Sequence, residues 1–376
     1  MNELLTKAQR LKKAAATLAT LTTEQKNRAL SLMADELLQK QQYILEENRK
    51  DLEAGEKAGL SQALLDRLKL TEERIQAMAE GVKQVMELPD PVGEVLASWK
   101  RPNGLVIEEV RVPLGVIGMI YEARPNVTVD AAALCLKTGN GVLLRGSSSA
   151  LHSNIALVKV LHEALAKSEC PEDAIQLLED TSRETASQMF RLNDYLDVLI
   201  PRGGAQLIRS VMEQASVPVI ETGAGNCHTY VDESAQPEMA IDLVINGKTQ
   251  RPSVCNAVET VLVHEAWAKL HLSKLVQALE EKGVEIRGDE AVRKLLPHVK
   301  PAQESDWDTE YLDLILAMKI VKDVHEAIEH ISRHGTRHSE AIITENRENA
   351  NLFLKEVDAA AVYHNASTRF TDGFEF

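Results

Sequence analysis

GVIGMIYEARPNVTVDAAALCLKTGNGVLLRGSSSA, residues 115–150, decides the fold. Val116 to Tyr121 runs on without a charge, which reads as a strand buried on both faces. An apolar helical run through Cys135 follows, then a strand at Val142–Leu144 and a helix over about 150–166. Strand, helix and strand of this kind make a βαβ unit whose right-handed crossover leaves the two strands parallel. The rhythm continues downstream. Ile175–Leu178 precedes a helix that Thr181 and Glu184 cap, Val198–Ile200 precedes a helix over about 205–214, and a strand at Val217–Ile220 follows.

Upstream, GLVIEEVRVP (104–113) alternates in the manner of a strand exposed on one face. Residues 1 to about 88 are helical by spacing, through Leu11, Ala15 and Leu18 and then Leu30, Met33 and Leu37, with Thr22 and Gln25 as a capping box. Beyond about 225 the strands restart at Thr229–Val231, Glu259–Val263, Leu312–Ile320, Ala341–Ile343 and Ala360–Tyr363. That predicts a second α/β layer and a second domain.

With 376 residues, 44% of them hydrophobic and only 4% aromatic, the chain can bury a large core of helices on parallel strands. A net charge of −15 argues against a nucleic-acid partner and against an anionic membrane surface. The N-terminus has no apolar signal core, and no long apolar run occurs. Cys135, Cys170, Cys227 and Cys255 show neither CxxC pairing nor histidine ligand spacing, so neither a disulfide framework nor a metal site is expected. The reading is a cytoplasmic protein with reduced thiols.

Two strand ends point to an anionic cofactor. In VLLRGSSSA (142–150), Arg145 and Gly146 precede Ser147 and Ser148 at a helix start, where hydroxyls and peptide N–H groups face an anion. In VLIPRGGAQL (198–207), Gly203 and Gly204 let the backbone approach a bound group. Neither is a GxGxxG fingerprint. Cys255 lies in GKTQRPSVCNAVET, a punctuated loop with Lys248 and Arg251 upstream, and nearby cations favour the thiolate that a nucleophilic cysteine needs. Cys135, in its apolar helix, reads as a small buried hydrophobe. Glu221 ends a strand beside a glycine-rich turn and could serve as a general base or as a capping group.

VRVPLGVIGMIYEARPNVTVDAAALCLKTGN, VLLRGSSSALHSN, PVIETGAGNCHTYVD, QRPSVCNAVETVLVH and NASTRFTDGFEF, in that order, closely resemble the gamma-glutamyl phosphate reductases, of the aldehyde dehydrogenase superfamily. The resemblance runs the length of the chain. It implies an aldehyde-dehydrogenase-like α/β fold in three parts. These are a Rossmann-type NADP-binding domain over 1–225, a catalytic domain over 226–365 carrying Cys255, and a small β oligomerisation extension that includes 104–113. Residues 366–376 would return to the cofactor domain, and the family's usual C-terminal oligomerisation tail is expected to be missing.

The implied activity is NADPH-dependent reduction of L-glutamyl 5-phosphate to L-glutamate 5-semialdehyde and phosphate through a Cys255 thioester, in proline biosynthesis. By the same resemblance Glu310, in DTEYLDLIL, would hold the nicotinamide ribose, and Asn126 would join the Cys255 N–H in stabilising the oxyanion. Arg124, Lys137, Arg251 and Arg369 would meet the substrate's phosphate and carboxylate. In hydrolytic relatives the counterpart of Glu221 activates water. A reductase needs none, which leaves Glu221 as a structural or a proton-steering group. A homo-oligomer and a glutamate 5-kinase partner are implied as well. The competing readings are a hydrolytic aldehyde dehydrogenase and a non-catalytic protein of the same fold.

Overall fold

Apolar spacing winds the first part of the chain into helices in the computed structural model, which describes residues 3–221 and 224–371. They are α1 (Glu3–Leu18), α2 (Thr23–Gln39), α3 (Gln41–Lys57), α4 (Gln62–Leu68) and α5 (Glu72–Glu87). Thr22 and Gln25 close the capping box at the start of α2. Their buried faces, through Leu30, Met33, Leu37, Ile75 and Met78, join the core of a first unit that ends at 222.

β1 (Val95–Lys100) and β2 (Val106–Val110) pair antiparallel, with Trp99 opposite Ile107. The alternation of 104–113 predicts one covered face, whereas every residue of β2 is exposed. A two-stranded ribbon has no layer of its own to bury either face, and such ribbons are marginal alone.

The parallel sheet of this unit consists of β3 (Val116–Tyr121), β4 (Gly141–Arg145), β5 (Ile175–Leu177) and β6 (Val198–Arg202) in the order β5-β4-β3-β6. Its helices are α6 (Asn126–Lys137), α7 (Leu151–Leu165), α8 (Arg183–Met189) and α9 (Ala205–Gln214). The strand order is that of a dinucleotide-binding half, with its direction reversing between β3 and β6.

Two details differ from expectation. α8 is capped one residue later than the sequence suggests, by Ser182, whose hydroxyl accepts the Thr185 N–H at 3.2 Å. The stretch 217–220 makes one bridge, Val219 to Leu199, and no strand, because Pro218 has no N–H to extend the ladder.

The second unit, from 223 onward, is built on a parallel sheet in the order β10-β9-β11-β8-β7-β12-β13. The strands are β7 (Cys227–Val231), β8 (Val258–His264), β9 (Glu285–Gly288), β10 (Lys300–Pro301), β11 (Ile315–Val321), β12 (Ser339–Ile343) and β13 (Ala361–His364). The helices are α10 (Pro237–Thr249), α11 (Glu265–Glu280), α12 (Glu290–Leu295), α13 (Val324–His334) and α14 (Arg347–Glu356). The central strands β7, β8 and β12 are buried on both faces, and the polar side chains they carry, among them His228, Glu259 and Glu340, are buried with them. The described part of 366–376, expected to return to the cofactor domain, stays in this unit, and 372–376 lie outside the described residues.

Candidate active site

Cys255 sits half-buried in a turn just before β8, closed by the Ala257 N–H on the Val254 carbonyl at 3.1 Å. Three neighbours fix the turn. Gly225 lies so close that a Cβ there would collide with the Cys255 carbonyl. The buried Cys227 thiol donates to the same carbonyl at 3.2 Å. Asn256 is clasped from the other side: its carbonyl accepts the Thr368 hydroxyl at 2.7 Å and its amide donates to the Thr371 carbonyl at 2.8 Å.

Two expected residues join this cluster. The Glu310 carboxylate accepts the Gly225 N–H at 3.0 Å. The Arg369 guanidinium bonds the Asn256 side-chain oxygen and donates to Gln250 at 3.1 Å, which places a cation on the residue next to Cys255. Arg251 is exposed on the same loop. Lys248, read as a free cation of that loop, is instead fully buried with Nζ 2.6 Å from Glu259 Oε2. Burial pushes the Glu259 carboxyl up to about 7, against the pull of Lys248. Sequence reading passed over Glu259 and Asn256. The available signal was a carboxylate set inside the apolar run of β8.

In the first unit the turns after β4 and β6 lie at the carboxyl ends of the strands, the edge where such sheets bind ligands. The start of α7 is not open to an anion, contrary to expectation. Asp51 of α3 already accepts the His152 and Ser153 N–H groups, at 3.2 and 2.8 Å. Ser147 caps the turn by accepting the Ser149 N–H at 3.3 Å, and Ser148 is exposed. Arg145 is braced on the Thr181 and Ser182 carbonyls, its buried Nε has no hydrogen-bond partner, and burial lowers its pKa.

The start of α9 is different. Its cap is Gly204, which has no side-chain bond to offer, and a Cβ on Gly203 would meet Glu122 at 2.7 Å. Glu122 Oε2 accepts the Gly204 N–H at 3.1 Å, a carboxylate standing where a phosphate oxygen would be held. Of the two turns, the glycine-lined one between β6 and α9 is where the backbone would hold a cofactor phosphate, in place of the Glu122 carboxylate.

Lys137 does not face a substrate. It is buried, and its ammonium donates to Asn27 Oδ1 and the Met86 carbonyl, each at 2.8 Å. Asn126 starts α6 and donates its amide to Asp130 at 3.0 Å. Arg124 is half-buried at the end of β3, with its N–H on the Glu122 carbonyl at 2.7 Å. Glu221 is exposed. Burial raises the thiols of Cys135, to about 12, and of Cys170, to about 11. Among the described residues no acidic, histidine or cysteine cluster could hold a metal, and no helix is long and apolar enough to cross a membrane.

The sequence pattern described as "Aldehyde dehydrogenase family" matches residues 3–306. A gamma-glutamyl phosphate reductase of Halalkalibacterium halodurans is 67% identical over 377 residues, covering 100% of this chain and 91% of the relative. Another from Anoxybacillus flavithermus is 63% identical over 376 residues, with 100% and 91% covered. The crystal structure of gamma-glutamyl phosphate reductase from Thermotoga maritima superposes with a TM-score of 0.94 at 52% identity, over 99% of this chain and 90% of that one.

Proposed function

The chain belongs to the aldehyde dehydrogenase family, in its gamma-glutamyl phosphate reductase branch, and we propose that it reduces L-glutamyl 5-phosphate to L-glutamate 5-semialdehyde and phosphate with NADPH. Family enzymes act on small molecules with a nicotinamide cofactor and commonly oligomerise. The observation that carries the reading is the Cys255 turn, held by Gly225, Cys227 and Asn256 and flanked by Glu310 and Arg369.

The Cys255 thiolate attacks the acyl carbon. A C–S bond forms, the C–O bond to phosphate breaks, and phosphate leaves with the electron pair. The cofactor, when bound, supplies the hydride that reduces the thioester. The resulting hemithioacetal oxyanion re-forms its C=O bond, the C–S bond breaks, and the electron pair stays on sulfur, giving the aldehyde and the Cys255 thiolate. Negative charge on oxygen builds at each tetrahedral stage, so fixed donors there contribute most. The Cys255 N–H and the Asn126 amide are proposed for that task, the latter on family likeness and on release from Asp130.

Arg369, Arg251 and Arg124 are the cations proposed for the substrate's phosphate and carboxylate, and Lys137 is removed from that set. Glu310 is proposed for the nicotinamide ribose. Preference for NADPH is proposed on family likeness, since the helix start after Arg145 is already occupied by Asp51. Glu221 is assigned no step, since activated water would destroy the thioester.

The exposed ribbon of β1 and β2 is proposed as the homo-oligomer contact. Its apolar side chains include Leu96, Trp99, Val106 and Ile107, and a patch of that kind calls for a partner. A cytoplasmic setting, a place in proline biosynthesis and a glutamate 5-kinase supplying the acyl phosphate belong to the same proposal.

The test is single-turnover phosphate release. Mixed with acyl phosphate without NADPH, the parent is expected to release one phosphate per active site and to carry a glutamyl adduct on the Cys255 peptide by mass spectrometry. An adduct on any other residue, or none with phosphate still released, would contradict the assignment.

A further inference from the structure

Cys255 is bracketed in sequence by an ion pair that stability does not explain. Lys248, in the last turn of α10, and Glu259, near the start of β8, are both fully buried, with Nζ 2.6 Å from Oε2. Desolvating two such charges costs about as much as their attraction returns, so an apolar pair of the same shape would serve packing as well. An apolar pair could not do what the second oxygen does. Glu259 Oε1 accepts the Leu312 N–H at 3.3 Å.

Leu312 has φ +55°, in the left-handed region that a leucine adopts only at a cost. Two residues earlier in the same segment, Glu310 accepts the Gly225 N–H at 3.0 Å, and Gly225 rests on the Cys255 carbonyl. Between them Tyr311 lies with its ring 5.9 Å from the Lys248 ammonium and 5.1 Å from the Arg287 guanidinium, and its hydroxyl donates to Asp306 at 2.8 Å. The segment 310–312 is therefore pinned at both ends, by Glu259 at Leu312 and by Gly225 at Glu310.

We propose that Glu259 is a positioning residue for the reaction centre: with its buried charge balanced by Lys248, it holds Leu312 in its left-handed conformation, and that conformation sets Glu310 on Gly225 and Gly225 against the Cys255 turn. The inference rests on the reading of Cys255 as nucleophile. It makes the hydrogen-bond acceptor at position 259, and not its charge, the feature that matters to catalysis.

Two double variants separate acceptor from charge. Lys248→Met with Glu259→Leu removes both charges and the acceptor. Lys248→Met with Glu259→Gln removes both charges and leaves an amide oxygen for the Leu312 N–H. Thermal midpoint, kcat, KM for the acyl phosphate and the rate of Cys255 alkylation by iodoacetamide are measured on each. With equal midpoints, the leucine double is expected to lose about tenfold in kcat with KM little changed, and to alkylate more slowly. The glutamine double is expected to recover to within about threefold of the parent.

A leucine double with parental kcat and alkylation would overturn the proposal. So would a glutamine double as impaired as the leucine one. If the leucine double does not fold, Glu259→Asp takes its place, because the shorter side chain keeps the charge and withdraws the acceptor from Leu312. The aspartate variant is then expected to be slower than the glutamine double, and the reverse ranking overturns the proposal. A Cys255→Ser protein measured alongside tests the nucleophile separately: if it turns over, the underlying reading fails whatever the ranking at 259.

Discussion

The Lys137 ammonium donates to Asn27 Oδ1 and to the Met86 carbonyl, so its charge ties α6 to α2 and α5. Lys137→Met leaves two part-buried acceptors without their donor, which costs about 1 kcal/mol. A lowered thermal midpoint with unchanged KM for the acyl phosphate is expected. A raised KM in a protein of parental stability would return Lys137 to the substrate. Gly225 gives the opposite test. A methyl group there meets the Cys255 carbonyl, so Gly225→Ala must move the nucleophile's turn. A shift of that kind costs on the order of a hundredfold in kcat, and a folded Gly225→Ala enzyme of parental rate would contradict the close approach. Cys255 is singled out in the sequence by loop punctuation and by Lys248 and Arg251 upstream, and of these two Arg251 alone is exposed beside it. Lys137 and Lys248 misled because a charge's partner is set by the fold: Asn27 and Glu259 stand on elements that no local pattern connects to them.

Where helix α13 lies on the sheet it buries a row of polar side chains. His330 faces His228 of β7, Lys319 of β11 and its own neighbours His334 and Arg333, with Lys319 Nζ 3.3 Å from its Nδ1, and the Trp307 ring stands edge-on at 5.4 Å. Burial first, and then the repulsion of His228 and Lys319, pushes its pKa down to about 2. The native state binds its proton less readily than the unfolded chain does. Its contribution is complete above the unfolded value near 6.5 and is lost as pH falls, at roughly 1 kcal/mol per pH unit. Between pH 7 and 5 the parent's thermal midpoint is expected to drop more than that of His330→Gln, and parallel curves would refute this. For β1 and β2 the prediction is assembly: Ile107→Glu should shift the elution of an oligomer toward monomer by light scattering, and an unchanged mass would remove the ribbon from the interface. The strands buried on both faces were legible from uncharged runs such as Val116–Tyr121. β1, β9 and β10 were not, since short or exposed strands carry no burial pattern.

Across the whole chain, the first parallel sheet carries Arg145, Gly203 and Gly204 at the carboxyl ends of its strands, and the second carries Cys255 just ahead of β8, at the amino end of that strand. The alternation of strands and helices foretold both sheets. The occupants of the helix starts were hidden, because Asp51 and Glu122 reach them from distant elements. A molecule that forms a thioester and excludes water from it must run backwards only when phosphate is there to take the acyl group. NADP and L-glutamate 5-semialdehyde are therefore incubated with and without phosphate, beside a Cys255→Ala protein, and the reduced cofactor is followed by its absorbance. The predicted result is cofactor reduction that requires phosphate and falls at least about a thousandfold in the variant. Equal reduction without phosphate, or a Cys255→Ala protein that still turns over, would contradict it.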